Sequence, residues 1–384
     1  MTLVSIIGDF FSSVVPVFYE FKDKIDKHII ISDDSKRDDR LAKKFLKGSK
    51  EFINKNNLNI KTLYYQIDED SFDSLEKAQN FILNNSTGDI YINTTDGLSS
   101  INTFFSLKML PRGAKIISYD MFDNEYNIVD INGIQRKKII KMPSVIEHFL
   151  LKDVKINSKG IKSFALKYEN EIKELFEHNH YEYRGFKYEL TSKHKMPLRK
   201  DFPNVYYLFD KMNLTNKNLS KNYLFQTLTG DMFEYYVYLL VKDLGFDDIE
   251  IAVEVEDEGI INEFDLLLMK DNHLHVIECK HRGFKTLDLE NLIYKYATLR
   301  RVVDEDAKGI IVSLINKYSK NYTNRALSQN IALFTFDKNL KDNIYKFLIR
   351  GENNGYFLKT SSRDSFKIED RNISSRASKT KKRT

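Results

Sequence analysis

The sequence predicts an α/β chain with two domains and a connector between them. Short apolar runs alternate with helically spaced apolar positions through the first 150 residues, the pattern of a parallel sheet with helices on both faces. A second pattern, helix, strand, hairpin, helix, strand, helix, strand, follows from about residue 226. At 384 residues the chain is too long for one hydrophobic core.

The elements of the first half follow in order. LVSII (3–7) reads as a buried strand, and Gly8, Asp9, Ser12 and Ser13 as the loop after it. HIIIS (28–32) is a second strand, followed by a helix bearing Leu41, Phe45, Leu46, Phe52 and Ile53. KTLYYQI (61–67) is a third strand, and Ser71 opens a helix with Leu75, Ala78, Phe81 and Ile82. DIYIN (89–93) is a fourth strand ending in the polar loop TTDGLSS, then a helix to Leu110. AKIISYD (114–120) is a fifth, and Asn132-Gly133 marks a trailing hairpin of type I′. No GxGxxG follows the first strand, which disfavours a dinucleotide oxidoreductase.

In such a sheet a ligand sits beyond the carboxyl ends of the strands. Two loops lie there, Gly8–Ser13 and Thr94–Ser100. Their hydroxyls, backbone N–H groups and adjoining helix N-termini suit a phosphate-bearing ligand. The alternative is that these serines and threonines only cap helices.

Composition bounds the rest. Hydrophobic residues make up 42% and charged residues 30%, as expected of a folded soluble protein. No apolar run is long enough to span a bilayer, and the apolar start lacks a basic leader. No membrane partner is expected. Cys279 is the single cysteine, which excludes an intrachain disulfide and a cysteine-based zinc site and points to the reducing cytoplasm. Net charge is +5, and the tail NISSRASKTKKRT supplies five cations and no acid, so the body is near neutral. The expected boundaries are a first domain at 1–150, a helical or irregular connector at 151–225, a second domain at 226–360, and a basic, disordered tail at 361–384.

The catalytic reading comes from EFDLLLMKDNHLHVIECK (263–280). With its tip at Asp271-Asn272, a hairpin pairs positions whose numbers sum to about 543. Asp265 then faces Glu278, and Glu263 and Lys280 share that side, while Cys279 points into the packed side. Opposed carboxylates destabilise a sheet unless a cation lies between them, and hard oxygen ligands suit Mg²⁺ or Mn²⁺. A lysine beside them can orient or deprotonate a water or stabilise a phosphorane-like transition state. This is a site for metal-assisted phosphodiester hydrolysis. The competing reading is a salt-bridged polar face.

The neighbouring helices fit. GDMFEYYVYLLVKDLG (230–245) has an apolar face of Phe233, Val237, Leu240 and Leu244, with Glu234 at its edge. LDLENLIYKYATLRRVVDE (287–305) buries Leu289, Leu292, Tyr296, Leu299 and Val303. Lys295, Arg300 and Arg301 project from it and suit a nucleic-acid backbone. His273, His275 and His281 are expected in core or surface roles rather than as metal ligands.

Glu234, Asp265 and Glu278-Cys279-Lys280, in this order, resemble the PD-(D/E)XK nuclease core. Asn262-Glu263-Phe264-Asp265 and Leu299-Arg300-Arg301 resemble one branch more closely, the CRISPR ancillary nucleases of type III systems (the Card/Can family). These join an N-terminal Rossmann-like CARF domain to a C-terminal PD-(D/E)XK, restriction-endonuclease-like domain. The resemblance implies a homodimer that binds a cyclic oligoadenylate, commonly cyclic tetra-adenylate, across its axis. It also implies cleavage of DNA or RNA with Mn²⁺ or Mg²⁺. Asp265, Glu278 and Glu234 would hold metal, and Lys280 would assist the attacking water. Gly8, Asp9, Phe10, Ser12, Ser13, Thr94, Thr95, Asp96, Gly97 and Ser99 would contact the activator. The family's Asn-x-Thr-Gly-Gly-Thr-Lys loop stands here as Asn93-Thr94-Thr95-Asp96-Gly97-Leu98-Ser99. An acid replaces a glycine and the lysine is missing, which leaves the ring size open. Two alternatives are a restriction- or repair-type nuclease free of such control, and a sensor with an inactive nuclease scaffold.

Overall fold

The first half builds one sheet from β1 (Thr2–Ile7), β2 (Lys27–Asp33), β3 (Lys61–Ile67), β4 (Ile90–Asn93), β5 (Lys115–Asp120), β6 (Glu125–Asp130) and β7 (Gly133–Lys138). The computed structural model describes residues 1–8, 13–193, 195–215, 225–280, 290–291, 293–296, 303, 307–314 and 318–351. The strand order is β3-β2-β1-β4-β5-β6-β7, parallel from β3 to β5 and antiparallel beyond. On one face α1 (Val15–Phe21) and α2 (Lys36–Lys55) bury Phe18, Phe45 and Phe52 against Leu3 and Ile30. On the other, α3 (Phe72–Asn85) and α4 (Ser99–Met109) bury Leu75, Ile82, Ile101 and Phe105 against Val4, Ile6 and Ile29. Each such side chain contributes roughly 1.5–3 kcal/mol by leaving water. The order reverses between β1 and β4, so the loops that follow these two strands lie side by side at the switch point.

The trailing hairpin forms, but its turn sits one residue earlier than Asn132-Gly133. Asp130 pairs with Gly133, so the loop is Ile131-Asn132, and Asp130 Oδ1 accepts from the Asn132 N–H at 2.8 Å. That local bond favours the earlier position.

The second sheet runs β13-β12-β11-β10-β9-β8, from β8 (Lys155–Ser158), β9 (Asp248–Asp257), β10 (Ile260–Lys270), β11 (His273–Lys280), β12 (Gly309–Ser313) and β13 (Ile331–Thr335). Strands β11 to β13 are parallel and the rest antiparallel. The connector is built into this half. After α5 (Val145–Leu151), β8 joins the sheet edge. Next, α6 (Lys162–Lys167), α7 (Glu169–Glu177), α8 (His180–Lys193) and α9 (Pro203–Lys211) bury Ile172, Phe176, Tyr183, Phe186 and Phe209. Their partners are Phe233 and Tyr236 of α10 (Met232–Val241). These aromatics meet edge-on or tilted, as Phe176 with Tyr183 and Phe186 with Phe209 do. Below β13, α12 (Leu340–Leu348) closes the same face, and α11 (Lys320–Leu327) packs on the other.

The two halves are joined by more than the chain. α5 carries a full capping box, Ser144 with Glu147, and the Val145 N–H donates to Asp248 Oδ2 at 2.9 Å. Lys44 of α2 reaches Asp257 at 2.5 Å, and Arg40 reaches Glu258 at 3.4 Å. No described helix is long and apolar enough to cross a membrane.

Candidate active site and ligand loops

The hairpin of β10 and β11 has the register read from its sequence. Pairs run from Lys270–His273 to Leu266–Ile277, and Asp271 and Asn272 at the tip both have positive φ, 49° and 66°. The expected Asp265–Glu278 pair does not continue the ladder, which stops at Leu266–Ile277. On the other side the Ala252–Asp265 pair is missing from the β9–β10 ladder, where Glu263 pairs with Glu254, and the β10–β11 ladder does not reach the expected Glu263–Lys280 pair.

The cause lies in the backbone. Ala252 has φ 47°, a left-handed conformation rare for a residue with a Cβ. Ile249, Ile251, Leu266 and Leu268 pack on the α10 side, whereas Val253, Val255 and Phe264 pack on the opposite side. Strict alternation would keep Ile251 with Val253 and Phe264 with Leu266. Both strands therefore exchange faces at Ala252 and Asp265. The Asp265 side chain, freed from the regular pleat, accepts the Cys279 backbone N–H at 2.6 Å.

Around that point the chain gathers acids from three elements. Glu234 comes from the first turn of α10, Asp265 from β10 and Glu278 from β11. Burial, then the charges of Asp265, Asp231, Glu263 and Glu278, push the Glu234 carboxyl up to about 9. Burial and Asp265 push Glu278 up to about 7, against the pull of Lys280 and Lys295. Burial raises Asp265 as well, opposed by Lys280 and the Cys279 N–H. Burial would lower Lys280, but Glu278 and Asp265 outweigh it and hold the ammonium protonated. Lys280 Nζ contacts Glu278 Oε1, while Glu278 Oε2, buried, has no hydrogen-bond partner among the described residues. Cys279 turns to the α10 side with Ile277, and burial raises its thiol.

Asp231 was not among the expected residues. It ends a π-helical turn, Thr227–Asp231, one turn before Glu234, and its carboxyl is raised by burial. Tyr183 of α8 holds this turn by donating to the Leu228 carbonyl at 2.8 Å, and Lys187 donates to Thr229. The only sequence signal is an acid three residues before Glu234; the π turn depends on α8.

The residues fit a hard divalent cation. An orphaned buried carboxylate oxygen and several acids raising one another's pKa are relieved by positive charge. Among the described residues no three or more His, Cys, Asp or Glu side chains are grouped closely enough to hold a metal ion between them, so the fit rests on the Asp265 and Glu278 carboxylates.

Lys295 is exposed and near enough to lower Glu278. Arg300 and Arg301, with Leu289, Leu292, Leu299 and His281, lie outside the described residues, as does the tail. His273 and His275 lie toward the hairpin tip, where His273 Nε2 bonds the Met121 carbonyl at 2.8 Å.

In the ligand loops, the Gly8 N–H donates to Asp96 Oδ2 at 2.8 Å. A Cβ on Gly8 would lie 2.5 Å from Gly97 N, so only glycine permits this approach. Asn93 Oδ1 accepts from Thr95 N and Thr95 Oγ1 at 3.1 and 2.5 Å. Thr94 Oγ1 donates to the Ile117 carbonyl, and Asn102 of α4 donates to the Thr94 and Asp96 carbonyls. Thr94, Thr95 and Asp96 thus hold the loops together, the acid in place of glycine serving as a clamp on Gly8. Ser13 is buried and Ser99 is exposed at the start of α4. Asp9, Phe10 and Ser12 lie outside the described residues.

Comparison with known proteins adds to this geometry. Residues 221–349 match the family model of the Card1-like endonuclease domain. Protein VC1899 from Vibrio cholerae is similar in structure, with a TM-score of 0.73 at 16% identity over 90% of this chain and 97% of that one. So is Can2 from Sulfobacillus thermosulfidooxidans, solved with cyclic tetra-adenylate: TM-score 0.67, 16% identity, 91% of this chain and 98% of that one. A type III CRISPR defence DNA nuclease activated by cyclic oligoadenylate aligns with 89% of this chain and 51% of its own, at TM-score 0.53 and 12% identity. No curated protein matches. At these identities the structural likeness is one of fold, and it extends through both halves.

Proposed function

We propose, from a chain whose residues 221–349 are a Card1-like endonuclease domain, that the protein is a divalent-metal-dependent nuclease switched on by a cyclic oligoadenylate. The observation that carries the catalytic part is the convergence of Glu234, Asp265, Glu278 and Lys280 within that domain. Asp265 and Glu278 hold Mg²⁺ or Mn²⁺, and Glu234 and Asp231 support the ion from the α10 side. The bound ion supplies Lewis-acid stabilisation and an acidified water for phosphodiester hydrolysis. Lys280 stays protonated, so its part is to donate a hydrogen bond to the attacking water or to the phosphoryl oxygens as charge develops. The hydrogen bond from the Cys279 N–H aims Asp265 without needing a side-chain partner.

The regulatory part rests on the adjacency of the β1 and β4 loops at the switch point. Backbone N–H groups and the exposed Ser99 at the start of α4 take the phosphates of the activator. Two copies of the chain bind one ring across their axis, and Lys295, Arg300 and Arg301 contact the nucleic-acid backbone. Incubation with Mn²⁺ and single- or double-stranded DNA or RNA, with and without cyclic tetra-adenylate, tests both parts. Cleavage that rises with the ligand is expected. Equal cleavage without it overturns the regulatory part, and no cleavage under any condition overturns the catalytic one.

A further inference from the structure

The tip of the active-site hairpin is buried in the sensor half. Asn272 is only 3% exposed, and its Nδ2 donates to Asn124 Oδ1 at 2.9 Å and to Met142 Sδ at 3.0 Å. Next to it, His273 Nε2 bonds the Met121 carbonyl at 2.8 Å. Met121 and Asn124 belong to the turn between β5 and β6, where the parallel part of the sensor sheet gives way to its trailing antiparallel hairpin.

From that turn a continuous set of hydrogen bonds leads back to the ligand loop. Tyr119 of β5 donates its hydroxyl to the same Asn124 Oδ1 at 3.0 Å. The backbone N–H of Tyr119 donates to Thr95 Oγ1 at 2.8 Å, and Thr95 is tied to Asn93. In the other direction β11 runs from His273 to Glu278, about 17 Å at the usual rise per residue, and on to Lys280 at about 23 Å. One oxygen of Asn124 therefore receives both the sensor's Tyr119 and the hairpin's Asn272.

Two further features make this joint movable. Asn272 Oδ1 is buried and unpartnered among the described residues, so opening the joint lets it regain water. And β10 is interrupted at its middle, at the Ala252–Asp265 gap, while the sensor holds both its ends. The other end is the turn at Asp257 and Glu258, gripped by Lys44 and Arg40. A shift of the tip relative to that turn bends β10 where Asp265 sits.

We infer that the Asn124–Asn272 contact is a latch by which the sensor positions the active-site hairpin, so that a change at the Thr95 loop reaches Asp265, Glu278 and Lys280. Asn272 is a positioning residue here; it touches no reacting group. The inference rests on the proposed ligand control and names its route. Coupling of this kind is typically about 5–150-fold in the response.

The test uses the full chain with Asn272→Gly and Tyr119→Phe. Glycine keeps the positive φ at 272 and removes the side chain that makes the contact; phenylalanine removes only the hydroxyl. Two quantities are read: hydrogen exchange of peptides spanning 271–280 without ligand, and the ratio of Mn²⁺-dependent cleavage with and without cyclic tetra-adenylate. Both variants are expected to exchange at least about fivefold faster over 271–280, with β1 and β2 unchanged, and to lose about tenfold of the ratio. Lys47→Ala, at an exposed ion pair with Asp153 that touches neither end of β10, is expected to keep the wild-type ratio. Wild-type exchange and ratio in both latch variants overturn the latch, and so does an equal loss in Lys47→Ala, which would mean general loosening. A wild-type protein that ignores the ligand instead overturns the functional reading, a result seen before any variant is made.

Discussion

Asp265 accepts its 2.6 Å hydrogen bond from the backbone N–H of Cys279, the residue between Glu278 and Lys280. The two strands of the hairpin thus stop pairing by ladder and begin pairing through an acidic side chain beside Glu278 and Lys280. Asp265→Asn can keep that bond while losing the charge. It is expected to lower cleavage by at least about 10²-fold. Its metal-free melting temperature should equal or exceed the wild type, because one buried acid among several has gone. Activity assays and thermal melts check the pair of outcomes, and a large loss of stability would count against it.

Cation binding should stabilise the fold directly. At about 100 times its dissociation constant, Mn²⁺ adds about 2.7 kcal/mol to a protein that binds it only when folded. The melting temperature is expected to rise with Mn²⁺ in the wild type and to stay flat in Glu278→Gln. A shift of equal size in both would place the ion elsewhere.

Gly8→Ala probes the switch-point loops. Its Cβ would meet Gly97 N at 2.5 Å and disturb the bond to Asp96, at a cost of about 1–3 kcal/mol. Binding of cyclic tetra-adenylate, measured by calorimetry, is expected to weaken at least about tenfold. Ligand-free cleavage should survive, and its loss would mean that the two halves do not fold independently enough for separate sites.

Acid sensitivity should come from the sensor core. His28 is fully buried, stacks on Phe18 and meets Ser5 Oγ through Nε2 at 2.9 Å. Burial takes its pKa from 6.5 down to about 3. The folded state thus binds fewer protons than the unfolded one between these values, so stability is fully present above pH 6.5 and falls as pH drops towards 3. The loss is at most about 1.4 kcal/mol per pH unit. The Ser5→Ala/His28→Phe double variant removes both partners, and denaturant titrations at several pH values are expected to show a shallower acid slope. An unchanged slope would assign the effect to carboxylates instead.

Much of this was legible in the sequence. The alternating pattern marked the five parallel strands, and the register of the hairpin followed from Asp271-Asn272 alone, because a two-residue turn fixes every pair above it. The interruption at Asp265 was not legible. It depends on Ala252, a residue with no turn propensity, taking a left-handed conformation on a neighbouring strand. Helices α8 and α9 were hidden for another reason: they are rich in aromatics that pack edge-to-face on one another rather than presenting one clean stripe. At the switch point the sequence named the two loops that the fold sets side by side, but not what their side chains do to one another. Asp96 faces Gly8 because of a contact 88 residues apart.

The lone cysteine has a practical use. Cys279 is 6% exposed, on the reverse side of the strand from Glu278 and Lys280, and burial keeps its thiol in the unreactive protonated form. With no other sulfhydryl in the chain, a simple alkylating dye has one place to go, and can go there only while β11 is lifted. The rate of that single labelling event is a stopwatch on the active-site strand, built into the native protein and readable by mass spectrometry.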